Sequence, residues 1–199
     1  MTARRRFGLL APLVALSLSG CGLNSVPTAE EDVNAKAANL QAEYQRRNDL
    51  IPNLVRIVAA GANLEKSASV EVLEARAKAT SIQLRPQDLE DPAKVKAYGD
   101  AQDQVTVAYG RFIANVEADP DFDFPKSFQS LQDQYEGTEN SVLVARRDYN
   151  EAVQAYNTRI RTFPDAVGAK IFYGAKPKVP FEASKASQEA PKVDFGNAS

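Results

Sequence analysis

The side chains that most often carry out catalysis are scarce in this sequence. It contains no histidine and a single cysteine, Cys21. Without an imidazole there is no Ser-His or Cys-His catalytic pair and no histidine-based zinc or haem site, which removes most common hydrolase and metalloenzyme designs. A stretch that begins at Asp119 has the spacing of an EF-hand loop, but its sixth position is Phe124 instead of glycine and its twelfth is Ser130 instead of glutamate. We therefore predict neither a metal nor a cofactor.

The context of Cys21 indicates a covalent modification. Cys21 ends the run Leu18-Ser19-Gly20-Cys21, which follows Arg4-Arg5-Arg6 and an apolar stretch from Phe7 to Leu18. A positive start, a short apolar core and small residues before the cleavage point are typical of an export signal, and this core is shorter than the roughly 20 apolar residues that span a bilayer. The run resembles the lipobox of bacterial lipoproteins, which implies that Cys21 becomes the acylated first residue of the mature chain. An ordinary secretory signal with an unrelated cysteine is the alternative.

The mature chain is predicted to be acidic and to lie in the bacterial cell envelope. Removing residues 1–20 as a signal peptide removes three arginines and no acidic residue, so the formal net charge changes from −2 to −5. An acidic chain without clustered lysine and arginine argues against nucleic acid as a partner. The lipid at Cys21 makes the membrane the expected partner. Gly22, instead of aspartate, after the cysteine favours the outer membrane, facing the periplasm, in a Gram-negative cell.

Helical periodicity dominates the sequence as far as Phe163. Apolar residues recur every three or four positions, as in helices that bury one face, and no alternation typical of strands competes with this pattern. Pro52 lies inside one stripe, where it frees the carbonyl of Asn48 and is expected to kink the helix. The four stripes are Leu40, Tyr44, Arg47, Ile51, Leu54 and Val58; Leu64, Ala68, Val72, Ala75, Ala79 and Ile82; Val95, Tyr98, Gln102, Val105, Tyr109, Phe112 and Val116; and Phe124, Phe128, Leu131, Tyr135, Thr138, Val142, Ala145, Tyr149, Ala152 and Tyr156.

These stripes predict an all-α fold, an antiparallel up-and-down bundle of four long helices in residues 30–173. Only a weak turn signal, Gly61-Ala62-Asn63, separates the first two stripes. If residues 30–84 instead form one long helix kinked at Pro52, three helices result. The first half of that helix would lack a partner for its apolar face, so we favour a reversal of the chain.

The two ends of the mature chain differ from the bundle in composition. Residues 21–29 are predicted to be a short tether, which keeps the bundle close to the membrane. Residues 174–199 carry three prolines and many alanines, serines and lysines. Such a composition is typical of an extended or disordered tail.

The stretch from Arg46 to Val55, R-R-N-D-L-I-P-N-L-V, is similar to the R-R-x-D-L-I-P-N-L-V signature of the LemA family. The resemblance covers about residues 35–195, and it implies an envelope-associated helical bundle of unsettled biochemical function, without a catalytic site. Two features depart from the family pattern, since LemA-like proteins often begin with a transmembrane segment and carry His-Glu where this chain has Leu64-Glu65. Further matches are Glu74-Ala75-Arg76, Thr138-Glu139-Asn140, Ala145-Arg146-Arg147-Asp148-Tyr149-Asn150, Tyr156-Asn157, Phe163-Pro164 and Pro191-Lys192-Val193-Asp194-Phe195.

The polar residues of this signature are the candidate functional cluster. Arg47 occupies a stripe position and is therefore expected to be buried, where a guanidinium needs a carboxylate or carbonyl partner. These charges either fix the register of the helices or form a ligand or partner site at the Pro52 kink. In a four-helix bundle, Glu139 or Asp148 would pair with Arg46 or Arg47, and Arg146 with Asp49. The candidate cluster is Arg46, Arg47, Asp49, Asn53, Glu139, Arg146 and Asp148.

Two functional hypotheses follow from these residues. The first is a membrane-tethered interaction or scaffold module that meets an unidentified envelope protein and has no catalytic chemistry. The second is a histidine-free hydrolase of envelope polymers that uses paired carboxylates such as Glu139 and Asp148. Such pairs act on glycosides when about 5–9 Å separates them across a cleft, and a narrow bundle rarely provides one. The sequence therefore favours the first hypothesis.

Overall fold

Helices and the turns between them account for the structure. The computed structural model describes residues 24–61 and 66–182, and no strand occurs in this part of the chain. Four parts of the chain lie outside the described residues, namely the predicted signal peptide (1–20), residues 21–23 with Cys21, residues 62–65 with most of the turn signal and Leu64 of the second stripe, and residues 183–199 of the predicted tail. The helices are α1 (Ser25–Gly61), α2 (Lys66–Ser81), a 3-10 helix (Pro86–Glu90), α3 (Pro92–Glu117), α4 (Lys126–Arg159) and the one-turn α5 (Asp165–Gly168), which continues as a π-helical turn (Ala169–Tyr173).

Prolines set several of these boundaries. Pro92 is the first residue of α3, a position that needs no backbone donor, and α4 begins directly after Pro125. Helix α1 continues through Pro52 without interruption, as expected from the stripe that surrounds it. The fold is all-α, as the periodicity predicts.

The chain reverses between α1 and α2. Arg76 Nε of α2 donates a hydrogen bond to the carbonyl oxygen of Asn48 in α1, at 2.7 Å. In one continuous helix these residues would lie about 42 Å apart along the axis. The single long helix through residues 30–84 is therefore wrong, and α2 is an antiparallel neighbour of the second half of α1. With 16 residues, α2 is shorter than the prediction of four long helices implies.

The members of the predicted stripes that the structure describes are buried or partly buried. All six residues of the first stripe and all seven of the third have at most 8% of their surface exposed. Arg47 and Gln102, the two strongly polar members of those stripes, are 1% and 2% exposed. The six tyrosines on the stripes are all buried, namely Tyr44, Tyr98, Tyr109, Tyr135, Tyr149 and Tyr156.

The described residues divide into two compact units. The first unit contains residues 24–44, Arg85–Pro92 and Thr138–Pro180, and the second contains residues 45–61, 66–84, Ala93–Gly137 and 181–182. Helices α1 and α4 contribute residues to both units.

An apolar cluster with aromatic contacts forms the core of the second unit. Tyr109 of α3 stacks on Tyr135 of α4, with 3.6 Å between the ring centroids. Phe122 and Phe128 meet edge to face at 5.4 Å beside the turn that joins these two helices. Stacked and edge-to-face rings add to the stabilisation that burial provides. Aliphatic residues of α1 and α2 complete the core, including Ile51, Leu54, Val58 and Val72.

Candidate functional site

The family-like signature in α1 divides between two faces of the helix. Arg47, Asn48 and Ile51 are at most 1% exposed, whereas Arg46, Asp49 and Asn53 are exposed. The helical period of 3.6 residues produces this division, because positions 47, 48 and 51 share one side and positions 46, 49 and 53 share the other. One half of the signature is therefore part of the core, and the other half faces solvent.

Arg47 is hydrogen-bonded to α3 within the second unit. Its Nη2 donates to the side-chain Oε1 of Gln102 at 2.9 Å and to the backbone oxygen of Gln102 at 3.0 Å. Its Nη1 donates to Thr106 Oγ1 at 3.0 Å. Asn48 Nδ2 also donates to Gln102 Oε1, at 3.3 Å. These partners in α3 are neutral oxygens, and they fix the register of α1 against α3. The pairing of Arg47 with a carboxylate of α4 stays a prediction.

Arg76 occupies the position next to the carbonyl that Pro52 leaves free. Proline has no backbone N–H, so the oxygen of Asn48 has no donor from within its own helix. Arg76 Nε supplies that donor at 2.7 Å, and its Nη2 lies 3.5 Å from Asp49 Oδ1. Gln45 Nε2 donates to the same carboxylate oxygen at 2.8 Å. Arg76 therefore provides the hydrogen-bond donor that Pro52 lacks, a role that the sequence did not indicate.

The remaining polar residues of the signature lie on its outer face. Asn53 Oδ1 accepts a hydrogen bond from Arg56 Nη1 at 3.0 Å. Arg46 is exposed and forms no hydrogen bond or ion pair with any residue that the structure describes. We refer to Arg46, Asp49, Asn53 and Arg56 as the outer row, because their spacing of three, four and three residues aligns them along α1.

The three candidates on α4 belong to the first unit. Arg146 Nη2 donates to the hydroxyl oxygen of Tyr44 at 2.7 Å, where the sequence suggested Asp49 as its partner. Asp148 lies 3.7 Å from Lys36 Nζ and 3.3 Å from Arg147 Nη2. Glu139 is half-buried. The candidate cluster is thus divided, with four of its residues in the second unit and three in the first.

Glu139 and Asp148 have the wrong geometry for an acid pair. Both lie on α4, nine residues apart, which places them about 13 Å apart along the helix axis and on opposite sides of it. Glycosidases need their two carboxyl groups about 5–9 Å apart on either side of one bond. The suggestion that this particular pair is catalytic is therefore wrong.

A buried lysine that the sequence analysis missed forms a second polar centre, in the first unit. Lys178 is 3% exposed, and its Nζ lies 2.7 Å from Glu30 Oε1 and 3.0 Å from Glu90 Oε1. The ammonium also lies 5.8 Å from the centre of the Tyr156 ring, within the range of a cation–π contact. Burial lowers the pKa of Lys178, but the hydrogen bonds to Glu30 and Glu90 outweigh it, so the pKa is raised above that of an ordinary lysine.

Residues 175–180, the C-terminal strap, are bonded to the first unit along their length. Asn157 brackets Lys178, accepting from its backbone N–H at 2.9 Å and donating to its backbone oxygen at 2.8 Å. Val179 N–H donates to the oxygen of Leu89 at 2.9 Å, and Val179 O accepts from the Tyr149 hydroxyl at 2.8 Å. Burial raises the pKa of that hydroxyl, so it stays a donor. The first part of the predicted tail is therefore extended and firmly attached.

An open groove of about 470 Å³ lies beside the strap. Amide and hydroxyl side chains line it, together with the guanidinium of Arg161 and the ring of Pro180. Val153 adds an apolar side chain to the lining, and the lining includes no carboxylate that could act as an acid or a base. Across residues 24–61 and 66–182, no group of three or more acidic, cysteine or histidine side chains is arranged to hold a metal ion. No helix in the same ranges has the length and apolar character needed to cross a membrane.

Comparisons with known proteins identify relatives for most of the chain. The profile of the LemA family matches residues 36–195. Magnetosome proteins MamQ 2 and MamQ 1 of Paramagnetospirillum magneticum AMB-1 are each 28% identical over 157 residues, which cover 71% of this chain and 58% of theirs. Magnetosome protein MamQ of Magnetospirillum gryphiswaldense MSR-1 is 26% identical over the same shares of both chains. This chain therefore aligns with less than two thirds of the length of these curated relatives.

Proposed function

Because this chain belongs to the LemA family, we propose that it is a lipid-anchored scaffold of the bacterial cell envelope. In this proposal Cys21 carries the lipid, residues 30–173 form an up-and-down helical bundle, and no catalytic step is involved. Membership of the LemA family and similarity to the MamQ proteins support a membrane-associated helical protein. The bundle then presents a surface to an envelope protein, and in a Gram-negative cell it faces the periplasm from the outer membrane.

The observation that carries the proposal is that the signature of α1 has one buried face and one exposed face. Its inner residues, Arg47 and Asn48, are bonded to Gln102, and the proline site is closed by Arg76. These polar groups therefore serve packing. In its outer row, Asp49 is paired with Arg76 and Asn53 with Arg56, whereas exposed Arg46 has no partner among the residues that the structure describes. An arginine in that position is suited to a carboxylate on another protein, since its planar fork binds carboxylates through two hydrogen bonds.

The anchor is tested at Cys21. We expect Cys21→Ala to abolish incorporation of labelled palmitate and to shift the protein out of the membrane fraction, or to block its processing, because no other cysteine can carry the lipid. Density-gradient fractionation of the wild-type cells then identifies the membrane. An unmodified Cys21 in a mature wild-type protein outside the membrane fraction would refute the lipoprotein assignment.

The outer row is tested by crosslinking in intact envelopes. A photo-crosslinking residue in place of Asn53 should give a discrete adduct of high yield, whereas the same residue in place of the exposed Lys126 on α4 should not. Adding Arg46→Glu should reduce the Asn53 adduct about fivefold or more, the equivalent of losing an exposed pair of about 1 kcal/mol.

Arg46→Lys is the matched control for this experiment, because it keeps the charge and should retain most of the adduct. If Arg46→Glu leaves the adduct unchanged, or if the Lys126 position gives the same adduct, the outer row is not the contact surface.

A further inference from the structure

Large apolar side chains are concentrated in one exposed segment of the first unit. Nine large hydrophobic residues are exposed in the part of the chain that the structure describes, and five of them fall between Phe163 and Tyr173. Phe163 is 86% exposed, Ile171 69% and Phe172 67%. Exposed apolar side chains that are concentrated in this way mark a surface that contacts a membrane or another molecule. We call Phe163, Val167, Ile171, Phe172 and Tyr173 the apolar patch.

A rigid base holds the patch outward. Ala169 is 2% exposed, so the π-helical turn of the segment packs its inner side into the unit. Gly174 ends that turn in the left-handed region, at φ 56°, and Ala175 N–H donates to the oxygen of Ala169 at 3.0 Å. The strap that follows is fixed through Lys178. The apolar side chains therefore cannot easily fold back into the core.

The patch lies close to the start of α1, where the chain leads to the proposed anchor. Arg159 Nη1 donates to the oxygen of Ser25 at 2.9 Å, and Arg159 Nε lies 3.7 Å from Asp165 Oδ2 at the start of α5. Ser25 is the fourth residue after Cys21, so at most about 14 Å separates their Cα atoms. A lipid at Cys21 would therefore hold this end of the unit next to a bilayer.

The charges around the patch match an anionic membrane surface. Residues 159–176 contain four basic residues, of which Lys176 lies 3.7 Å from Glu90, and one acidic residue, Asp165, although the whole chain has a formal net charge of −2. Asp165 is paired with Arg159, and Arg161 and Lys170 are exposed. Basic residues beside apolar and aromatic side chains are typical of segments that lie in the membrane interface.

We propose that the apolar patch inserts into the lipid surface to which the N-terminus is anchored. The apolar side chains enter the boundary between head groups and acyl chains, and Arg161 and Lys170 bind lipid phosphates. This second attachment, together with the lipid, fixes the orientation of the first unit relative to the bilayer. The inference rests on the proposed membrane anchoring, but it concerns a separate surface of the protein.

The test measures the depth of a fluorescent label in the reconstituted protein. Full-length protein is isolated from cell membranes with one new thiol, either Ile171→Cys or, as the matched control, Val107→Cys on α3, which is also an exposed aliphatic position. Each is labelled and placed in vesicles of phosphatidylethanolamine with a minority of phosphatidylglycerol, brominated near the head groups. The label at position 171 should be quenched by about half or more and the label at 107 by less than about a tenth, because interfacial segments bury their apolar face about 5–10 Å deep.

Each other outcome overturns the inference. Equal quenching at both positions would mean that depth does not depend on the patch. A label at 171 that iodide in the water quenches freely would show an uncovered surface. A label that neither bromine nor iodide reaches would show that protein, either a second copy or an envelope partner, covers the patch.

Intact-mass analysis of the same samples separates this inference from the proposed function. Acylated Cys21 with an unquenched label at 171 leaves the anchor correct and refutes the patch. Unmodified Cys21 refutes the lipid anchor, and a label at 171 that is still strongly quenched when Cys21→Ser removes the second thiol supports the patch as a membrane contact in its own right.

Discussion

Replacing Arg47 by alanine should lower the free energy of unfolding by about 3–5 kcal/mol. The side chain is 1% exposed, so its removal leaves a cavity, and truncating a large buried side chain typically costs about 2–5 kcal/mol. It also removes the two hydrogen bonds that Arg47 donates to the buried Gln102, at about 1–3 kcal/mol where water cannot reach the acceptor, whereas Thr106 is exposed and regains water. Urea melts followed by circular dichroism measure the change, with Cys21→Ala in every variant to exclude the lipid.

Arg46→Ala is the matched control for Arg47→Ala. It removes the same side chain from the adjacent position, but Arg46 is exposed, so its effect should stay within about 0.5 kcal/mol. A double-mutant cycle of Arg47→Ala with Gln102→Ala should show a coupling of at least about 1 kcal/mol. If Arg47→Ala costs less than about 1 kcal/mol and instead abolishes partner crosslinking, Arg47 belongs to a binding surface and not to the register of the helices.

Lys178→Ala should have the second largest effect, a loss of about 2–3 kcal/mol. The variant removes an ammonium group that bridges Glu30 and Glu90 and leaves the two carboxylates close together. Breaking a fully buried pair costs about 3–5 kcal/mol, and we expect less here because the side chains of Glu30 and Glu90 are 39% and 28% exposed and regain water. Hydrogen exchange of the Val179 amide, which donates to the oxygen of Leu89, should also be faster in Lys178→Ala, because the strap is held less tightly in that variant.

Lys176→Ala is the control for Lys178→Ala. Lys176 also lies beside Glu90, at 3.7 Å, but its side chain is 73% exposed, so the change should be below about 0.5 kcal/mol. An equal effect of both variants would mean that bulk charge, and not the buried bridge, holds the strap.

The bridge also predicts a dependence on pH. The pKa of Lys178 is raised in the folded protein, so its contribution is complete below the unfolded pKa of about 10.4 and is lost as the pH rises through the folded value. The difference between wild type and Lys178→Ala should therefore stay constant near neutral pH and shrink in strong alkali. A difference that disappears already near neutral pH would contradict the bridge.

The two polar centres suggest why an all-helical fold retains buried charge. Apolar stripes alone permit helices to slide by one turn, about 5.4 Å, with little loss of burial. Arg47 accepts only one register, because its donors must meet both Gln102 and Thr106 of α3. Lys178 has the same effect on the strap, which has no helical repeat of its own. Polar residues in a core are a known means of fixing register.

Local sequence was sufficient to predict the helices and their buried faces. The period of 3.6 residues relates near neighbours along the chain, so the positions of Ile51, Val105 and Tyr149 in their stripes already indicated burial, and their exposure is 0%. The same reasoning placed Arg47 in the core and identified the carbonyl of Asn48 as free. The identity of the family followed from the run around Pro52, which the profile match confirms.

Only the tertiary structure determined which groups meet. Arg47 binds neutral oxygens of α3, and Arg76 reaches the carbonyl of Asn48, because these contacts depend on the rotation and register of one helix against another, which no single stripe specifies. The strap lacks any repeat, and its order comes from bonds between residues far apart in the chain, such as Lys178 with Glu30. The apolar patch is recognisable for the same reason, since exposure of Phe163 or Phe172 is a property of packing and not of residue type.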